Sequence, residues 1–265
     1  MQLVEWQTAF LKVLDVYGWD QKSFPIPKVD LIIYSQLPEI LLRNQKYTLH
    51  KRFRTLYIDL QKDEESLFAD LSKTTRYQIK RAIREQFQVV IETSPSQELV
   101  YEFCNSYNLF ANKKGIPASN MSKLQSLNQK GLLVISYALD PNNEKVCFHA
   151  SNVRDQRACM IYSCSNRFSL DSSQRNAIGR ANRYLHWMEI LHFKEAGYTI
   201  YDFCGLSLDK GNQKLQKIDH FKKKFGGKEV IEYKCYEAKT WIGKLALLYL
   251  SWKWKDSPEL IEVNF

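Results

Sequence analysis

Tyr201-Asp202-Phe203-Cys204-Gly205 and, sixteen residues after that glycine, Phe221-Lys222-Lys223-Lys224-Phe225-Gly226-Gly227 decide how this chain is read. A short apolar strand runs into a glycine turn, a basic helix follows, and a double-glycine turn closes the unit. The arrangement sets a strand end and an inward lysine beside one cleft, where a polarised carbonyl can be held.

Working outward, Tyr198 to Phe203 reads as a strand, Asn212 to Phe225 as a helix and Glu229 to Tyr236 as a closing strand. Upstream, a helix from about Ser173 to Ala196 is stopped by Gly197. Val146 to Val153 and Ala158 to Ser163 read as antiparallel strands joined at Arg154-Asp155-Gln156-Arg157. Leu132 to Ala138 is a further strand, ended by the turn signal Asp140-Pro141-Asn142-Asn143. Two helices precede it, one from Pro95-Ser96 to about Asn112 and one from Ser119 to Gln129, and before them Gln88 to Glu92 is a strand. Asp63 caps a long helix to about Gln86, with Leu67, Leu71, Ile79 and Ile83 on one side. The N-terminal part reads as a helix from Glu5 to Tyr17, a proline break at Pro25 and Pro27, a strand from Val29 to Tyr34 and another from Arg54 to Leu60. The fold class expected is α/β, a mixed sheet with helices on both faces. Three regions follow: an extension over 1–60 packed on the main body, a principal domain over 61–238, and an amphipathic tail over 239–265.

Composition sets outer bounds. In 265 residues, 38 Lys and Arg against 29 Asp and Glu give a net charge of +9, which favours anionic partners or a merely basic surface. Six cysteines without a C-x-x-C pair read as reduced, mostly buried thiols. The N-terminus lacks the pattern of a secretory signal, and no stretch reaches the ~18 uncharged apolar residues of a membrane span. The expected location is cytoplasmic, with peripheral membrane contact through 241–254 as an option. No Walker loop, dinucleotide fingerprint or Gly-x-Ser-x-Gly is present.

The element order and four stretches resemble the GNAT acyltransferase superfamily over residues 60 to 237. Within it, the resemblance is to single-domain relatives of the Fem-type peptidoglycan-bridge aminoacyltransferases. The stretches are Leu71 to Ala82 ahead of the first core strand, Gly179 to Trp187 in the long helix, and the two quoted at the outset. The resemblance implies an N-acyltransferase moving an acyl group from a thioester donor, acyl-CoA or an acyl-carrier protein, to a primary amine of an envelope sugar or peptide. An aminoacyl-tRNA-dependent, peptide-bond-forming transferase is its alternative. A non-catalytic module binding nucleic acid or a membrane surface is the alternative from another class. Two departures stand out: Fem-type proteins usually carry two such domains, and the acyl-CoA loop appears only as Asn176-Ala177-Ile178-Gly179-Arg180-Ala181, with Asn in first position.

By the resemblance, Lys222 stabilises negative charge at the reacting carbonyl, with Phe221 as its packing partner; otherwise it is one surface lysine of a basic helix. Ile218 and Leu215, four and seven residues earlier, place it beside a buried face. Asp202 either orients Lys222 and takes a proton from the amine, or caps the turn that follows it. His149 and Tyr162, on partner strands, are candidate general acid or base residues, a lone strand histidine being equally a satisfied core residue. His186, Asn182 and Glu189 share one side of the long helix, for substrate recognition or for solvent. No metal is expected, because His186-x-x-Glu189-x-x-His192 sets its histidines at an awkward helical spacing. Ser173, Arg175, Gly179 and Arg180 at the start of that helix can receive a donor pyrophosphate, or Ser173 belongs to an ordinary cap. Lys73, Arg76, Lys80 and Arg84 form a basic stripe for tRNA, a lipid diphosphate or a carrier protein, or a solvated face. The apolar, lysine-flanked segment Trp241 to Trp254 lies in a membrane interface or packs on the domain.

Overall fold

The computed structural model describes residues 1–18, 24–166 and 171–265. In chain order the strands are β1 (Gln2–Thr8), β2 (Leu11–Tyr17), β3 (Leu31–Leu37) and β4 (Thr48–Asp59). Helices α1 (Glu64–Asp70) and α2 (Lys73–Arg84) follow, then β5 (Gln88–Glu92), α3 (Gln97–Lys114) and α4 (Met121–Gln129). Next come β6 (Leu133–Leu139), β7 (Lys145–Arg154), β8 (Arg157–Ser165), α5 (Ser172–Glu195) and β9 (Ile200–Asp202). The chain ends with α6 (Gln213–Lys223), β10 (Lys228–Ala238), α7 (Trp241–Lys253) and β11 (Leu260–Asn264).

Two compact units emerge: Met1–Thr55 with Gly205–Asp219 and Glu229–Phe265, and Leu56–Cys204 with His220–Lys228. In the first, β1 and β2 form an antiparallel hairpin, β2 runs parallel to β3, and β10 pairs antiparallel with β3. β11 pairs antiparallel with the first half of β4. The helix expected over Glu5 to Tyr17 is therefore wrong. Val4, Trp6, Val13 and Val16 are residues that favour extended backbone. The two-residue connection is possible because Ala9 takes a φ of 47°.

In the second unit the strand order is β4-β9-β8-β7-β6-β5, with the end of β4 contributing. All neighbours are antiparallel except β8 and β9. Alternation along β7 serves two helical layers at once. The Cys147 thiol reaches the Ile178 carbonyl of α5, while Phe148 packs edge-on against Phe103 of α3. The apolar core under α5 joins Ala82, Phe87, Ala138, Val146, Ile178, Ala181 and Leu185.

The long helix expected from Asp63 is two helices. Asp63 does cap the first, accepting from Ser66 N at 2.7 Å, but Ser72 opens a second by accepting from Thr75 N. A side chain that satisfies a free helical N–H starts a helix wherever the chain bends before it. In the tail, β11 was not anticipated, because its five residues carry little alternation.

The double-glycine turn is sterically required. A Cβ on Gly227 would stand 2.5 Å from the Tyr57 carbonyl oxygen, at a φ of +88°. We expect Gly227→Ala to cost on the order of 3 kcal/mol, strain and overpacking combined, read as a lowered urea midpoint with the m-value unchanged.

Candidate functional site

The site in the second unit begins where two strands part. β8 and β9 pair in parallel only through Arg157, Ala158 and Cys159 against Ile200, Tyr201 and Asp202. β9 then ends, while β8 continues to Ser165. A register shift between Ala150 and Ser151 leaves Ile161 as an extra residue of β8 opposite β7, a bulge at the start of this divergence. A disulfide joins Cys159 to Cys204 at the base of the fork. The expectation of six reduced thiols is corrected for this pair; Cys104, Cys147, Cys164 and Cys235 are free and buried. Cysteines 45 residues apart carry no local signal of pairing; the fold brings them together.

Lys222, in the last turn of α6, is half-buried and donates through Nζ to the Cys204 carbonyl oxygen. The sequence argument for its direction does not hold: Leu215 and Ile218 are 39% and 50% exposed. What fixes the end of α6 is Phe225, 1% exposed and packed on Phe203 with ring centroids 5.1 Å apart. Phe221 stacks edge-on against Phe225 at 5.5 Å and carries the Arg183 guanidinium 4.7 Å from its ring centroid.

Asp202 is held by the residues around its turn. Arg157 engages its Oδ2 through both Nε, at 3.0 Å, and Nη2, while Cys204 N donates to Oδ1 at 2.8 Å. The carboxylate is wholly buried, so the turn-capping reading describes its contacts. Arg157 itself lies over the Tyr57 ring, 4.5 Å from the centroid.

Beneath the fork, one face of α5 carries a buried polar network. His149, His186, Glu189, Tyr201 and Ser136 are each no more than 1% exposed. Glu189 Oε2 accepts from His149 Nδ1 at 2.9 Å and from the Tyr201 hydroxyl at 2.7 Å, and Oε1 accepts from Ser136 Oγ. His149 Nε2 lies 3.0 Å from Asn182 Oδ1. The solvent-exposed alternative for His186 and Glu189 is thereby excluded: their stripe points into the sheet. Because the Tyr201 proton goes to Glu189, its oxygen accepts from His186 Nδ1 at 2.8 Å, which leaves the lone pair on His186 Nε2. The His186 ring sits among Phe203, Phe221 and Phe225, with centroids 4.9, 5.6 and 5.2 Å away.

Burial, the largest influence on Glu189, opposes its ionisation, but His149 and His186 outweigh it and hold the carboxyl well below its ordinary range. Burial pushes Tyr201 far up, with Glu189 adding to it. Burial, His149 and Lys222 push His186 down to about 3 against the pull of Glu189. His186 is therefore a neutral imidazole at ordinary pH.

The remaining expected residues are dispersed. Tyr162 belongs to an aromatic group with Tyr107, 4.8 Å between centroids, and its hydroxyl accepts from Asn120 N. Arg180 forms a two-pronged pair with Glu85, both bonds 2.7 Å. Ser173 is exposed, as is Arg175. Asp171, not Ser173, caps α5, in a reciprocal capping box with Gln174. Gly179 lies inside α5, its carbonyl taken by Arg183. Arg76 closes the end of α1 by donating to the Ala69 and Leu71 carbonyls, and Lys80 is exposed beside the Phe68 ring. Sequence reasoning missed Ser136, Arg157 and the role of Tyr201. A serine inside the apolar run Leu133–Leu139 was the available signal for the first. Among the described residues, His149, His186 and Glu189 bring ligand-type atoms within 4.8 Å of one another, each engaged in the bonds above apart from His186 Nε2.

No family model matches the chain, and no curated protein matches its sequence. Solved structures do. FemX superposes with a TM-score of 0.55 at 12% identity, over 74% of this chain and 63% of its own. L-PGS from Bacillus licheniformis gives 0.54 at 14%, over 83% and 72%. The C-terminal domain assigned to a lysylphosphatidylglycerol synthetase from Agrobacterium fabrum gives 0.53 at 14%, again over 83% and 72%. The chain thus has the mixed α/β fold of FemX and of these L-PGS structures. It spans less than two thirds of FemX.

Two outcomes follow from the site's chemistry. A histidine whose folded pKa lies below its ordinary value takes up a proton first in the unfolded chain, so acid favours unfolding. Stability should fall as pH drops from 6.5 to about 3, and this slope should flatten in His186→Phe, measured by urea denaturation across that range. Replacing Cys159 and Cys204 by serine frees a loop of 45 residues and should cost about 4 kcal/mol, seen as a lower melting temperature that reductant also produces in the parent protein.

Proposed function

We propose that the chain is an N-acyltransferase that moves an acyl group from an activated donor to a primary amine. The observation that carries this is the fork between β8 and β9, closed at its base by Cys159–Cys204 and flanked by the half-buried Lys222 ammonium. In this reading Lys222 gives up its bond to the Cys204 carbonyl and donates instead to the oxyanion that forms at the reacting carbonyl. As the acyl–donor bond breaks, the proton of the attacking amine goes to the departing sulfur or oxygen of the donor, while Glu189, Tyr201 and His149 hold the neutral His186 ring beneath the fork. Phe221 and Arg183 border the acceptor side, and Asn182 fixes His149.

Two donors fit the reading. A thioester, acyl-CoA or acyl-carrier protein, would serve an amine on an envelope sugar or peptide. Against a diphosphate at the start of α5 stand the Asp171 carboxylate at its cap and the pairing of Arg180 with Glu85. These observations favour the second donor, an aminoacyl ester carried by tRNA, with the exposed Lys73, Lys80 and Arg84 of α2 as its contact face. The likeness to the Agrobacterium fabrum domain supports the same direction, since its name speaks of a lysylphosphatidylglycerol synthetase. The location this reading carries is cytoplasmic, at the membrane surface; among the described residues, no helix is long and apolar enough to cross a membrane.

The test is to incubate pure protein with acyl-CoA or with charged tRNA and an amine acceptor, and to identify the transferred mass. Ribonuclease should abolish transfer in the second case only. Lys222→Ala should lower kcat by about 10²- to 10³-fold at an unchanged melting temperature. Undiminished turnover in that variant would remove Lys222 from the chemistry.

A further inference from the structure

The C-terminal helix presents an apolar face that its own unit does not cover. Trp241, Leu245, Leu248, Tyr249 and Trp252 are 71, 55, 49, 56 and 68% exposed. At 100° per residue, positions 241, 245, 248, 249 and 252 fall within one third of the helix circumference. The opposite side holds the buried Gly243 and Leu247. α7 is thus a helix with two apolar faces, only one of which is packed.

The outward direction of the second face is fixed by rigid contacts on the first. A Cβ on Gly243 would lie 2.0 Å from the Asp30 carbonyl oxygen, so helix and chain touch there with no room to roll. Thr240 caps the helix by accepting from Gly243 N and donates to Asp30 Oδ1 at 2.6 Å. At the other end Trp254 packs on Tyr236 and lies 3.9 Å under the Lys51 ammonium. The exposed rings are therefore not core residues that a small rotation would bury.

We infer that this face is a docking surface for an anionic phospholipid bilayer. Its composition argues for that occupant over a second protein surface. Two tryptophans and a tyrosine with leucines between them match the water–lipid boundary, where an amphipathic ring lies between headgroup and acyl chain. Lys244 flanks one side of the stripe, and Lys253 and Lys255 stand exposed at its C-terminal end. Basic side chains beside an apolar stripe meet lipid phosphates as the rings enter, and the whole chain carries +9. Thirteen residues make a rod of about 20 Å, too short to cross the ~30 Å hydrocarbon layer, so α7 lies in the plane of the interface. This inference does not depend on the acyl-transfer reading.

The experiment is co-sedimentation of the full chain with phosphatidylcholine vesicles, with and without phosphatidylglycerol, alongside tryptophan quenching by brominated lipid. The protein should sediment with the anionic vesicles, and its tryptophan emission should be quenched by them. Replacing Trp241, Leu245, Leu248 and Trp252 together by serine should weaken binding at least ~100-fold. Lys253→Glu with Lys255→Glu should weaken it on the order of tenfold, for anionic vesicles only. Thermal unfolding of both variants checks that the fold survives. Where the serine variant does not fold, quenching in the unmodified protein still decides. Failure of that protein to bind vesicles, or binding untouched by the serine changes, overturns the proposal. So does light scattering that finds a dimer in the parent chain and a monomer in the serine variant, which would make the occupant a second copy.

Discussion

One buried carboxylate organises the second unit. Stripping a charged side chain of water costs several kcal/mol unless close partners replace the water, and Glu189 has no exposure at all. Its partners come from three strands, Ser136 on β6, His149 on β7 and Tyr201 on β9. Together they fix where α5 crosses the sheet and how it is turned. Everything built on α5 inherits that register: the His186 tautomer, Arg183 over Phe221, and Arg180 reaching Glu85 beyond α2. The aromatic group of Phe203, Phe221 and Phe225 fills the space beside the charge, so water does not dissolve the network.

Much of the fold could be read from local pattern. From Gln88 to Ala238, strands and helices lie where periodicity and turn residues put them, since each element buries one face against its neighbours. The N-terminus misled because Glu5 to Tyr17 contains no glycine, asparagine or proline to announce a turn, and Ala9 supplies the positive φ instead. Reading the site was harder. The residue types on α5 and the Phe-Lys-Lys-Lys-Phe-Gly-Gly stretch pointed to the helices that carry the buried network and Lys222, yet spacing alone could not say which side of α5 faces inward. Partners such as Arg157 for Asp202, or Cys204 for Cys159, lie 45 positions away, and only the sheet order brings them together.

Charge counted along the sequence also means less than it seemed. Arg157, Arg180 and Arg76 each hold a carboxylate or a helix end, and these internal duties subtract three guanidinium groups from any binding surface. The cations that remain outward are mostly lysines, spread over many elements, Lys12, Lys62, Lys113, Lys214 and Lys253 among them. The +9 excess is thus a property of the surface at large rather than of the site.

The widening of the fork also determines what kind of recognition it can offer. Beyond Cys159 the β9-side edge of β8, from Met160 to Ser165, has no strand alongside among the described residues. Its amides and carbonyls repeat at the spacing of any extended peptide, whatever side chains they bear. In the proposed reading a molecule seated there is gripped by main chain, so its selection rests on length and on the positions of its own amide groups. Evolution can change residues along that edge while the grip persists.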